Sequence, residues 1–156
     1  GWLIARNAAT TAQTGVPNTV QPLPDQAPIS GANSVAGNFK CARLNLQGQD
    51  LRDKNFRQAD CTGANLAGAN LSGVDIESGN LSRANLSNAK LNDANLKGTD
   101  LAGANLAGAD LSGADLEGAN LTNTNLKGAN LKNANITRTD LAGAKTDGAN
   151  LNDAQQ

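Results

Sequence analysis

From Cys41 to Leu151 a core-type residue recurs every five positions without a single slip, as in "LAGADLSGADLEGANLTNTNLKGAN" from Leu106 to Asn130. An α-helix repeats every 3.6 residues and a β-strand every two. A period of five fits neither. On a helix these leucines would spiral round the whole surface, and on a strand successive ones would point to opposite sides. The chain must therefore turn a corner every five residues.

Of the 23 centres, 17 are Leu, and the others are Cys41, Phe56, Cys61, Ile76, Ile136 and Thr146. The residue two before a centre is usually Ala. The residue just before it is Asn or Asp, with Lys90 and Lys145 the exceptions from Asn45 to Asn150. The residue two after it is often Gly. Centre and Ala, two apart, point the same way along a short extended segment, so large and small side chains together fill a narrow interior. Gly at the corner accepts a positive φ at little cost. Asn and Asp hydrogen-bond nearby backbone and are placed here as corner stabilisers. Four corners close a square, giving a coil of 20 residues and a stacking distance of about 4.8 Å. The repeat region is then a rod of almost six coils, about 28 Å long.

The uninterrupted A-(N/D)-L-x-x motif resembles the pentapeptide-repeat family. That resemblance implies an all-β fold: a right-handed quadrilateral β-helix with a solid core. A fold of this kind does not by itself carry one function.

Two regions follow. Residues 1–38 hold all four prolines, in and around "VQPLPDQAP", and read as an extended non-repeat arm with an apolar tip at Trp2, Leu3 and Ile4. That tip is a candidate partner anchor. Residues 39–156 are the β-helix. Its first coil, residues 39–58, places Phe39, Leu44, Gln49 and Lys54 where later coils have Ala, and reads as an N-terminal cap over the open core. The C-terminal coil has no such device and leaves an unpaired edge. A chain without Met that starts at Gly1 reads as a processed mature product.

Chemistry-bearing residues are scarce. There is no His, and no nucleophile motif, phosphate loop or metal-ligand spacing appears. Asp110 and Asp115 look like a carboxylate pair, but the repeat puts them on adjacent faces. No catalytic, cofactor-binding or metal-binding residue is assigned, and no enzyme activity or cofactor is expected. Cys41 and Cys61 are centres 20 residues apart, so they stack in adjacent coils. They are read either as a disulfide, within reach of the usual Cα separation, or as two buried thiols. The disulfide is favoured, because the irregular cap coil can adjust. It would imply an oxidising compartment.

An almost uncharged asparagine ladder carries Asn65, Ala67, Asn85, Asn105, Ala107 and Asn125, and is the candidate docking face; the neighbouring face, with short side chains just after its centres, is the flat one. The expected function is a non-catalytic scaffold with a protein partner. The family resemblance adds an accessory or assembly role for a photosynthetic membrane complex, in the thylakoid lumen or periplasm. The alternative is a DNA mimic acting on type II topoisomerases, as some relatives do. From Cys41 onward the chain has 11 basic and 13 acidic residues, far fewer net negative charges than a duplex of that length with one per about 1.7 Å. A sugar or small-molecule binder ranks last, because aromatics for stacking are nearly absent. Neither nucleic acid nor a small-molecule substrate is expected as a partner. No apolar run is long enough for a transmembrane helix.

Overall fold

The computed structural model describes residues 39–156. The arm at 1–38, including Trp2, Leu3 and Ile4, lies outside the described residues. From Lys40 to Gln155 the backbone pairs with itself 20 residues on, always parallel: Lys40 with Asp60, Asn45 with Asn65, and so through to Asn135 with Gln155, with a single gap at Asn55 and Asp75. The chain thus forms a four-sided solenoid. We number coils 1 to 6, starting at residues 39, 59, 79, 99, 119 and 139. Faces 1 to 4 carry, in coil 4, the centres Leu101, Leu106, Leu111 and Leu116.

Each corner is one four-residue turn, in which the amide three residues past a centre donates to that centre's carbonyl, as Ala104 does to Leu101 at 2.9 Å. The third residue of the turn has positive φ at every corner from Arg43 to Asp153 except Asp53. Only 12 of these are Gly, and 10 are side-chain-bearing residues such as Arg43, Arg83 and Asn88. Such φ values are costly for most residues. Between corners only three residues run straight, too few for a strand with its own ladder, so pairing appears as isolated bridges centred on the Asn/Asp position. Asn and Asp therefore sit at mid-face, not at the corners where the repeat arithmetic put them. Each face is sewn to the next coil by a pair of bonds: Leu101 N–H donates to Asn120 O (2.8 Å), and Asn120 N–H to Thr99 O (3.0 Å).

Every centre from Cys41 to Leu131 is at most 1% exposed, and the inward Ala residues from Ala59 to Ala129 are at most 2% exposed. Two polar side chains enter this interior, Thr99 and Thr124, and both hydroxyls donate to carbonyls, of Ile76 (3.0 Å) and Leu121 (2.8 Å). The two ends differ. In coil 1, Phe39 and Phe56 meet edge to face at 5.0 Å over the core. Gln49 and Lys54 are only half-buried, and Lys54 reaches Asp53 at 3.4 Å. In coil 6, Leu141 is 37% exposed and Leu151 41%.

The mid-face Asn and Asp form four columns. In each side chain whose turn closes normally, Oδ1 accepts the backbone N–H two residues on, as Asn120 does from Thr122 at 3.1 Å. From coil 3 on, most Asn add a second link, donating from Nδ2 to Oδ1 of the residue one coil back: Asn120 to Asp100 (3.1 Å), Asn95 to Asp75 (3.0 Å), Asn130 to Asp110 (3.1 Å). Asp cannot donate, so an Asp stacked on an Asp would lose the link and add repulsion. No two Asp are neighbours in any column. Face 1 alternates Asp60, Asn80, Asp100, Asn120, Asp140, and face 4 alternates Asn55, Asp75, Asn95, Asp115, Asn135.

Candidate docking face

Face 2 departs from that alternation. Its column is Asn45, Asn65, Asn85, Asn105 and Asn125, followed by Lys145. The amides join in one ladder, with Nδ2–Oδ1 distances of 3.1, 3.3, 3.3 and 3.1 Å. Each Oδ1 also accepts a backbone N–H, from Gln47, Ala67, Ser87, Ala107 and Lys127 in turn, at 3.1–3.3 Å. Because a backbone N–H needs an acceptor, this second bond fixes which end of each amide is oxygen.

The consequence is chemical. An amide oxygen accepts two hydrogen bonds and an amide nitrogen donates two. On Asn45, Asn65, Asn85 and Asn105 both acceptor sites are filled. Each nitrogen spends one hydrogen on the ladder. Asn65 also lies 3.4 Å from Gln47 Oε1. Asn85, Asn105 and Asn125 keep one N–H each without a partner among the described residues. The half-buried Ala67 and Ala107 beside the column, and the glycines at 63, 68, 103 and 108, keep the surface low. The six candidate residues are therefore brought together on one face, where the amide oxygens of Asn65, Asn85 and Asn105 are fully used and Asn85, Asn105 and Asn125 each offer a donor.

Face 4 is the opposite case. Its charges pair with each other: Arg57 with Asp75 (3.0 Å) and Glu77 (2.7 Å), Lys97 with Asp115 (3.2 Å) and Glu117 (3.4 Å), and Arg138 with Glu117. On face 3, Arg52 grips Asp50 through two nitrogens at 2.9 and 2.7 Å. The Arg52 hydrogen bonds hold the Asp50 carboxyl down at about 2. What that pair contributes is present above the usual aspartate range and is lost as pH falls through about 2. Being fully exposed, it is a weak contributor.

Asp110 and Asp115 stand on faces 3 and 4, each tied to the Asn one coil on, at 3.1 and 3.0 Å. Among the described residues no group of three or more His, Cys, Asp or Glu suits a metal ion. None of their helices is long and apolar enough to cross a membrane. Cys41 and Cys61 are joined as a disulfide on face 1, Cα to Cα 4.4 Å, tying the cap coil to coil 2 inside the core. The intact mass of the unreduced protein is expected to be two hydrogens lower than after reduction. Alkylation of both thiols in unreduced, denatured protein would exclude the bond.

The sequence shows this face as an almost uncharged asparagine ladder. The donor count needed the hydrogen bonds, although the cue was present in the sequence: this is the one column without Asp.

A family model described as pentapeptide repeats matches residues 40–77, 80–118 and 114–153, in 8 copies. Among solved structures, the chain is 36% identical to a pentapeptide repeat protein from the Arabidopsis thaliana thylakoid lumen, covering 71% of this chain and 70% of that one at a TM-score of 0.59. It is 43% identical to a pentapeptide repeat protein from the cyanobacterium Cyanothece 51142, covering 63% of each chain at a TM-score of 0.45. It is also 26% identical to QnrB1, a plasmid-mediated fluoroquinolone resistance protein, over 71% of this chain and 64% of that one at a TM-score of 0.49. No curated protein matches the chain.

Proposed function

We propose that this chain, which belongs to the pentapeptide-repeat family, is a non-catalytic docking scaffold that receives a protein partner on face 2. One observation carries the reading. Spare amide N–H groups occur on every face, but face 2 alone has a mid-face column without a carboxylate, so its donors at Asn85, Asn105 and Asn125 stand in an unbroken row with no acid among them. Unspent N–H groups on a rigid frame gain hydrogen bonds at little entropy cost, and on face 2 no column carboxylate competes for them or repels an acceptor. The family is a non-enzymatic repeat fold, and its right-handed quadrilateral β-helix gives a frame of that kind.

The finer placement is a role beside a photosynthetic membrane complex on the lumenal side. It is supported by the likeness to the thylakoid-lumen protein and by the Cys41–Cys61 disulfide, which suits an oxidising compartment. A DNA mimic needs dense negative charge along its contact surface, and face 2 carries none on its asparagine column.

The test is chemical crosslinking in a thylakoid-lumen extract with the full chain, with a chain beginning at Phe39, and with two bulky variants. Ala107→Trp on face 2 is expected to abolish the crosslinked product. Ser112→Trp, in the same coil on face 3, is expected to keep it. Loss with both variants or with neither defeats the reading. Loss on starting at Phe39 would assign part of the contact to the arm.

A further inference from the structure

We infer that the partner of face 2 is an acidic protein segment, a stretch rich in Asp and Glu side chains. The inference rests on the docking reading above and adds the chemistry of the partner. It starts from how charge is distributed around the rod.

Each face is a set of five-residue strips beginning at the corner. For face 2 these are residues 43–47, 63–67, 83–87, 103–107, 123–127 and 143–147. They hold four basic residues, Arg43, Arg83, Lys127 and Lys145, against one acid, Asp147. On face 4, the opposite side of the square, the corresponding strips 53–57 through 153–156 hold three basic and seven acidic residues. A rod with nearly balanced charge is thus strongly asymmetric across its width. All four cations of face 2 are exposed, and none forms an ion pair among the described residues. The basic residues of face 4 are held by acids of their own face.

The donor row adds direction to this field. Asn85, Asn105 and Asn125 each have an N–H that needs an acceptor, and the oxygens of Asn85 and Asn105 are doubly occupied and can accept nothing more. Carboxylates are acceptor-only and carry the complementary charge. Arg83 stands at one edge of the row and Lys127 at the other, so a carboxylate bound to either lies within a side chain's reach of the amides. Four cations spread over six coils are too sparse for a duplex, which presents a charge every 1.7 Å or so. They are also at the low end for a membrane surface, where basic residues act as a compact cluster. A short acidic segment fits the number and spacing. Complementary charge of this kind acts mainly on encounter and orientation, and it turns the acidic face 4 away from the partner.

The experiment titrates the full chain against a fluorescein-labelled octaglutamate peptide at about 0.01 M and about 0.15 M ionic strength. An octaglutamine peptide and phosphatidylserine vesicles serve as comparisons. Expected is saturable binding of octaglutamate that weakens at least tenfold at the higher salt, with no binding of octaglutamine. The double reversal Arg83→Glu and Lys127→Glu is expected to weaken it by a further tenfold or more. Lys132→Glu, an exposed lysine on face 3, is expected to leave it within twofold. Equal loss from Lys132→Glu, no binding of octaglutamate, or binding to vesicles alone would overturn the inference. The crosslinking assay separates the two layers. A product lost in Ala107→Trp but kept in the double reversal leaves the docking face standing and removes the acidic partner. A product kept in Ala107→Trp removes the docking face itself.

Discussion

Leu101→Ala is expected to lower stability by about 3 kcal/mol, and Leu151→Ala by less than about 1 kcal/mol. Leu101 is fully buried at the middle of the stack, and coils 3 and 5 lie directly on either side of its own. Truncating it removes three carbons' worth of apolar burial and leaves a cavity. That cavity cannot collapse, because the backbone around it is pinned coil to coil by Leu101 N–H to Asn120 O and Gly103 N–H to Thr122 O, both 2.8 Å. Leu151 is already 41% exposed and has no coil beyond it in the structure, so its neighbours can close on the space. In a stack where each unit touches only its neighbours, a central defect weakens two interfaces and a terminal one frays locally. For a domain of this size the central substitution should lower the melting temperature by roughly 10–15 °C. Thermal melts followed by circular dichroism would show it. Comparable shifts for the two variants would mean that the core is not one continuous stack.

The fold was readable because a period of five admits few geometries, and because the centres never lose register over 23 repeats. The departure of coil 1 from the repeat was readable from Phe39, Leu44, Gln49 and Lys54, where large or polar residues replace Ala. The corners were less so. Gly marks 12 of them, but Arg43, Gln58 and Arg83 take the same positive φ with nothing in their chemistry to announce it. There the closure of the square imposes a backbone that local preference opposes. The mid-face position of Asn and Asp was misplaced for a related reason. An Asx side chain that bonds the amide two residues on looks like a corner device in sequence, while in the coil it stands one residue before the centre and reaches forward into the corner. The donor row of face 2 depends on two bonds meeting at one oxygen. Sequence alone shows the column but not the count.

The strict separation of Asp from Asp makes a second large effect testable. Asn120→Asp should destabilise the rod by about 3 kcal/mol at neutral pH, and most of that should vanish at about pH 3. Asn120 lies between Asp100 and Asp140 in the face 1 column. It donates to Asp100 Oδ1 at 3.1 Å and accepts from Thr122 N–H at 3.1 Å. The aspartate keeps the acceptor, so the turn is preserved. What changes is the contact between coils: one hydrogen bond to a carboxylate is lost, and three carboxylates stand in a row at about 5 Å intervals. At that spacing each like-charge pair costs on the order of 1 kcal/mol in partly exposed surroundings. Asn85→Asp supplies the comparison, because its neighbours Asn65 and Asn105 are neutral. It loses a donor without gaining a stacked acid, and its new carboxylate still accepts from Asn105, so the difference between the two variants contains the repulsion together with the change in charge-assisted bonds. The repulsion raises the pKa of the stacked acids in the folded state above the unfolded value near 4. The penalty is therefore full well above that raised value and disappears as pH falls below the unfolded one. Urea unfolding of both variants at pH 7 and pH 3 measures it. A gap between them that persists unchanged at pH 3 would show that the Asp–Asn alternation is not set by charge.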